Sequence, residues 1–503
     1  MSGVRRSALI GPVLVLATLV SSIVSSFGAP LIPTVAQDFD VSLSTAQWSL
    51  TVALLVGTVG SPVLGRLGDG PGRRATLLGG LAVVTAGGVV AALADGMGML
   101  LVGRGLQGVG LGLAPLAIAT ARDALPQAKV APTIALLSVS AAAGLGAGYP
   151  ISGLIAGTWG LSGAYWFGTV VSGLTLACVA VIVPPSRERH DPGRLDWPGA
   201  VLLALALVSA MVGVSQGSEW GWGSPAITGL LVAGALLLVI WSVQQLRAAS
   251  PLVRLRLLRH PSVLSGDACA LVLGAAMYMV LTGMTEFVQS PRSGGFGFSA
   301  SALVAGLVLI PLSVLMFASS RVLPSLVARM GIRALLTLGC LVAALGSGFF
   351  ALFHGSLWQA FVMTGILGVG LGTTFAAIPG LITQSVPARE TGSAIGFFQV
   401  LRFVGYSLGS ALTATVLATH LGGTGHPTES GYTSVLWTST GICVVAAALA
   451  WFLPAGSPQP TPTEETPTES DRARTGADDD EPRAGAQPEQ LECAHEEGAN
   501  DGR

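Results

Sequence analysis

Four ionisable side chains interrupt long apolar runs of this chain: Arg104 in LLVGRGLQG, Asp267 in SVLSGDACALV, Glu286 in LTGMTEFVQ and Arg402 in FFQVLRFVG. Within a lipid-spanning helix a charge costs about 2.5–3.5 kcal/mol or more unless it meets a partner or a wet cavity. Such residues therefore mark ion pairs, carbonyl clasps or proton relays. Arg104 is expected to be a cavity or relay residue; the alternatives are a packing ion pair or snorkelling to the surface. Arg402 lies about ten residues into its run, too deep to snorkel, and reads as cavity-facing or carbonyl-bonded. A carboxyl in such a place can take up and release a proton as its surroundings change. Glu286 is the first candidate for that work, with an interfacial acid as the alternative. Asp267 is expected at the interface, and Asp123 to pair with basic links.

A second concentration of charge lies outside the runs. GRLGDGPGRR, residues 65–74, holds four glycines, a proline, one aspartate and three arginines between two apolar stretches. The glycines allow a tight turn, and Asp69 is placed to favour a nearby helix N-terminus.

The elements that position these residues must be membrane helices. The 503 residues are 51% hydrophobic and 10% charged, with mean hydropathy +0.70. Water-soluble domains carry about 25% charged residues, so most of this surface faces lipid. A span needs about 20 apolar residues. Runs of that kind occur near residues 8–30, 46–65, 75–94, 98–120, 133–156, 163–183, 197–216, 226–246, 263–287, 300–320, 333–353, 357–381, 392–419 and 433–453. The first follows Arg5 and Arg6 and looks like a signal peptide, but similar runs recur throughout, so it reads as the first span.

Alternate links carry the positive charge: Arg66, Arg73 and Arg74; Arg122 and Lys129; Arg187, Arg189 and Arg194; Arg247, Arg254, Arg256 and Arg259; Arg321, Arg329 and Arg333; and Arg389. Arg292 is the exception in the other set. The positive-inside rule puts these links, and both termini, in the cytoplasm of a multi-pass plasma-membrane protein. Residues 455–503 hold 13 acids and four basic residues and are rich in proline, so a disordered, solubilising tail is expected. The five cysteines, Cys178, Cys269, Cys340, Cys443 and Cys493, are scattered without ligand spacing. No metal, cofactor or nucleic-acid partner is expected, and no phosphate loop or nucleophile elbow suggests an enzyme.

GLQGVGLG at 105–112 returns as GILGVGLG at 365–372, and PGRR at 71–74 is echoed by MGIR at 330–333. Repeated helix sets are the usual build of secondary transporters. The predicted fold class is an all-α membrane protein of 14 transmembrane helices. It comprises two six-helix pseudo-repeats (residues 1–190 and 251–454), a two-helix insert (191–250) and a tail (455–503). The 68 glycines predict close helix packing. Pro115, Pro150, Pro311 and Pro379 predict bends at membrane depth.

The chain resembles the major facilitator superfamily, and within it the 14-helix drug:proton antiporter branch, over about residues 8–453. The link after the second span resembles the superfamily signature through Gly65, Asp69, Gly72, Arg73 and Arg74, with Gly70 where a basic residue is usual. The fourth-helix motif is matched by Arg104, Gln107, Gly108 and Gly110. LDWPGA, SEWGWGSP and SPLVRLRLLRH are similar to the middle region of that branch, and VPARETGSAIGFFQVLRFVGYSLGSAL to one of its last helices. The fifth-helix antiporter motif is kept at Pro150 and Gly153, while Tyr149 and Leu154 replace glycines. The first span, in SSIVSSFGAP, lacks the acid the branch often has. The resemblance implies that Asp69 latches onto the helix beginning near Thr391 in one state and lets go in the other.

The function expected is proton-coupled efflux of small amphipathic molecules, cationic or antibiotic-like, by alternating access. The partners are the substrate, protons and the bilayer, and the protein is expected to be a monomer. The rivals are a metabolite uptake carrier and a non-transporting sensor on the same fold.

Overall fold

The computed structural model describes residues 3–27, 31–41, 43–68, 72–185, 195–256, 260–292, 295–387, 390–422 and 427–452. Asp69, Arg389 and the tail lie outside them. A lipid-immersed backbone must satisfy its own hydrogen bonds, and the described residues accordingly form helices, with no strand and one isolated bridge between Leu421 and Pro427. The helices are α1 (Gly3–Ser26), α2 (Ile32–Asp38), α3 (Leu43–Gly68), α4 (Arg73–Ala92), α5 (Met97–Gly108) and α6 (Leu113–Ala124). Then come α7 (Gln127–Ile182), α8 (Trp197–Ser215), α9 (Gly217–Trp220), α10 (Pro225–Arg247) and α11 (Pro261–Gln289). The last are α12 (Ala302–Leu307), α13 (Ile310–Leu352), α14 (Leu357–Ser385), α15 (Thr391–Ala418) and α16 (Glu429–Phe452).

Among the described residues, 12 helical stretches are long and apolar enough to cross a membrane. Two of them, of 37 and 50 residues, are far longer than a bilayer requires. Each doubles back at a glycine of positive φ, Gly160 at 71° and Gly331 at 76°. In α7, Gly148 and Gly168 pack at the same level of α1, beside Ser26 and Val24. In α13, Leu312 and Gly346 both lie against the Leu367–Gly368 region of α14. The two hairpins bring the traverses to 14. The run expected at 98–120 is divided by a tight 3-10 turn over Val109–Gly112.

The glycine repeat has a structural counterpart. Gly108 lies so close to the Ala53 backbone of α3 that a Cβ would collide, and Gly112 lies against Ser61 and Leu64 of the same helix. In the second copy Gly368 meets the Leu312 backbone and Gly372 the Met316 backbone, both in the first limb of α13. Small residues let these helix pairs approach.

The insert helices α8 and α10 pack on each other, and α8 lies against α3 and α15. Asp196 caps α8 through the Gly199 amide and accepts from the side-chain amides of Gln244 and Gln245, at 3.0 and 2.8 Å. Gln245 Oε1 accepts from the Val253 amide at 3.1 Å, and Trp222 Nε1 donates to the Thr415 hydroxyl at 3.1 Å. The insert is thus tied to its neighbours at both ends.

Candidate functional site

Arg104 is fully buried in α5, and its guanidinium makes four hydrogen bonds, all to neutral acceptors. It donates to the carbonyls of Val24 (3.1 Å) and Ser25 (2.8 Å) in the last turn of α1, to Ser49 O of α3 (3.1 Å) and to Gln107 Oε1 (2.6 Å). The last carbonyls of a helix have no partner within it, and a cation is favoured there. Ser25 Oγ in turn donates to Gln107 O at 2.8 Å, and the Tyr165 ring lies 5.9 Å from the guanidinium carbon. Arg104, Gln107 and Gly108 therefore form one clasp joining α1, α3 and α5. No carboxylate takes part among its bonds.

At the arginine-rich end, Arg73 is buried; its Nε donates to Gly68 O at the end of α3, and NH1 donates to Ala119 O at 3.1 Å and pairs with Asp123 at 3.4 Å. The expected partnership of Asp123 with the basic links takes that form. Arg74 donates to Ala180 O at 2.7 Å, near the end of α7. Gly65 lies against the Gly392 carbonyl of α15 so tightly that no side chain fits, and Gly396 lies close, though less tightly, on the backbone of Ser61 and Pro62. Gly72 precedes α4 with open space where a Cβ would be. Sequence reasoning missed two residues here. Arg122 of α6 reaches across to Thr391 Oγ1 (2.5 Å) and Val386 O (3.3 Å). Glu390, at the N-cap of α15 and 3% exposed, pairs with Arg254 at 2.7 Å. Acids before a helix start were the available signal for Glu390. The approach of Arg122 had none.

Arg402 is 1% exposed, between α14 and α15, and none of its three guanidinium nitrogens has a hydrogen-bond partner among the described residues. Four rings surround its guanidinium carbon instead: Phe375 at 5.5, Phe403 at 5.6, Phe398 at 5.7 and Tyr406 at 5.9 Å. Tyr406 stacks on Tyr278 of α11 at 5.1 Å. Tyr278 in turn interacts through its phenol with Tyr149 of α7, so the residue that departs from the fifth-helix motif spans the seam between the first and last sets of helices. Pro150 beside it packs on Gly306 of α12, and Gly153 is half-buried in α7. Ser313 Oγ donates across the same seam to Ala143 O at 3.0 Å.

A narrow cleft of about 60 Å³ lies among α3, α8, α11 and α15. Gln47, Thr51 and Leu54 of α3, Met211 and Ser215 of α8, Tyr278 of α11, and Phe403, Tyr406, Ser407 and Ser410 of α15 line it. The two carboxylates of α11 are disposed opposite to their expected settings. Asp267 is 3% exposed with both oxygens unpartnered among the described residues, whereas Glu286 is exposed at the far end of the helix. Among the described residues no group of three His, Cys, Asp or Glu could hold a metal ion.

Two glycine-marked helix sets, a buried arginine clasp in the fourth traverse and a glycine-arginine link after the second agree with a match of residues 14–410 to the family described as the Major Facilitator Superfamily. The chain belongs to that superfamily. This superfamily transporter is 27% identical over 398 residues to the tetracenomycin C resistance and export protein of Streptomyces glaucescens, covering 78% of this chain and 72% of that one. It is 31% identical over 447 residues to a cephamycin export protein of Amycolatopsis lactamdurans (84% and 87% covered). It is 27% identical over 400 residues to the multidrug resistance protein Stp of Mycobacterium tuberculosis (79% and 73%). The fold matches a human organic anion transporter at TM-score 0.62 and 15% identity (90% of this chain, 100% of that one). A proton:xylose symporter matches at 0.62 and 16% (90% and 96%). The transporter is a multi-pass membrane protein of small-molecule substrates whose relatives are antibiotic and multidrug exporters.

Proposed function

We propose that the protein exports small amphipathic, antibiotic-like molecules against their gradient in exchange for protons. Residues 1–190 and 251–454 act as two rocking halves, with the arginine-rich ends and both termini in the cytoplasm of a plasma-membrane protein. The observation that carries this reading is the seam. The α3–α15 pair meets at the arginine-rich end, at Gly65 and Gly392 and at Ser61 and Gly396, while α7 meets α12 toward the opposite end, at Pro150 and Gly306. Contacts at opposite ends of one seam are what alternating access makes and breaks in turn. The cleft among α3, α8, α11 and α15, about 60 Å³, is far below the roughly 300–1,000 Å³ of a drug-sized site, so rocking must widen it. The named relatives support export as the direction, and Asp69, with the Gly65–Gly72 link, serves the latch.

The coupling proton is assigned to α11. Asp267, buried and without a partner among the described residues, is its better seat, and Glu286 is the second. Arg104 holds α1, α3 and α5 together as one moving body. The test is flux in proteoliposomes with an imposed pH gradient. Export predicts dye or antibiotic movement opposite to the protons, abolished by a protonophore. Movement with the protons would establish uptake, and no movement a sensor.

A further inference from the structure

The charge preference of the site can be read from Arg402, an inference that rests on the transport reading above. A buried guanidinium without hydrogen bonds is costly. Each ring face attracts the guanidinium through the cation–π interaction, but rings accept none of its five N–H bonds in the plane. Asp267, the other deeply buried charge among the described residues of α11, α14 and α15, is not bonded to it. The demand left over is for an acceptor with two oxygens, the geometry a guanidinium binds best.

The cleft supplies a place for such a group. Phe403 and Tyr406, which flank the guanidinium, are also walls of the cleft, and Tyr278 stacked on Tyr406 is a third. The Tyr406 hydroxyl is buried and has no hydrogen-bond partner among the described residues either. The remaining polar lining is neutral, from Gln47, Thr51, Ser215, Ser407 and Ser410, and no carboxylate is among the lining residues. A cation entering here meets aromatic faces but also an unpaired arginine behind them. Arg402 itself does not line the cleft in this state; a planar anion meets faces on which to stack, and its oxygens reach the guanidinium only when Phe403 and Tyr406 part as the site widens.

We propose that the substrate class is aromatic anions, planar ring systems bearing a carboxylate, with the ring against Phe403, Tyr406 and Tyr278 and the carboxylate on Arg402. Of the cationic or antibiotic-like molecules expected from the sequence, this sets the cationic ones aside. Tyr406 supplies a second donor through its hydroxyl, and the neutral side chains fix orientation without discriminating charge.

The test uses the full chain in nanodiscs and three isosteric probes: 2-naphthoate, 2-naphthamide and 2-naphthylmethylammonium. Binding is read by competition and by intrinsic fluorescence. On the unmodified protein the carboxylate is expected to bind at least tenfold more tightly than the amide, and the ammonium more weakly than the amide. Arg402→Gln should bring the carboxylate down to the amide while leaving amide binding in place, which also reports an intact fold. Arg402→Lys should fall between. Equal affinities on the unmodified protein, preference for the ammonium, or no binding of any probe overturns the proposal without recourse to a variant. A carboxylate preference lost in Arg402→Gln, together with absent proton-driven flux, would uphold the anion site and refute the coupling.

Discussion

Arg122, in the last turn of α6, donates a 2.5 Å hydrogen bond to the hydroxyl of Thr391, the first residue of α15. The same guanidinium reaches the Val386 carbonyl after α14 at 3.3 Å. These bonds join helices on opposite sides of the seam at the arginine-rich end, beside the Gly65–Gly392 contact. A charged hydrogen bond is worth about 1.5–3 kcal/mol, enough to move a two-state equilibrium roughly tenfold or more. Arg122→Gln is therefore expected to open this end. A cysteine at position 393, in a background without the five native cysteines, should react with an impermeant thiol reagent several-fold faster. An unchanged rate would show that the glycine contact alone holds the closure.

The two glycines of the link make opposite predictions. Gly65→Ala places a methyl into the Gly392 carbonyl, whereas the Cβ of Gly72→Ala meets nothing. The first is expected to cut turnover at least tenfold with substrate affinity within twofold, because it blocks closure rather than binding. The second should transport at near-normal rates. Comparing kcat with KM for the pair checks this, and equal losses would remove closure as the explanation.

Arg104 predicts a stability effect. Its four bonds satisfy carbonyls of α1 and α3 and the Gln107 amide oxygen, all buried. Arg104→Ala removes the cross-helix donor from all four, at about 1–3 kcal/mol for each buried group left unpaired, while Val24 O keeps the Phe27 amide. Its Tm in detergent should fall well below that of Gln107→Ala, which removes one acceptor only. Arg104→Lys should recover little, since one ammonium cannot follow a fork spread over three helices.

The burial of the α11 carboxylates sets up a direct comparison. Asp267→Asn is expected to abolish the response of flux to an imposed pH gradient while substrate counterflow continues, the behaviour of an uncoupled carrier. Glu286→Gln, at an exposed position, should keep at least half of the gradient-driven rate. The reverse outcome would return the proton to Glu286.

What the sequence could and could not tell follows from the range of the forces involved. Spans were legible because lipid demands that each helix close its own hydrogen bonds, a constraint each run meets locally. The pairing of Gly108 with Gly368 was legible too, because an internal repeat is written in the chain itself. The facing of each helix was not. A helix apolar on all sides gives no periodic sign of which side looks inward, so Asp267 and Glu286, on one helix, exchanged their expected settings.

The sequence by itself determined that this is a multi-pass helical transporter, where the arginines concentrate, and which residues form the link and fourth-helix motifs. Tertiary structure alone decided that Arg104 spends its charge on the last carbonyls of α1 and on the Ser49 carbonyl in the first half of α3. It alone set Arg402 among rings from α14 and α15 with no acceptor among the described residues, and put Tyr149 against Tyr278 across the seam. Hydropathy is a sum over neighbours in the chain, whereas a buried charge is settled by whichever distant atoms share its few ångströms of low-dielectric space.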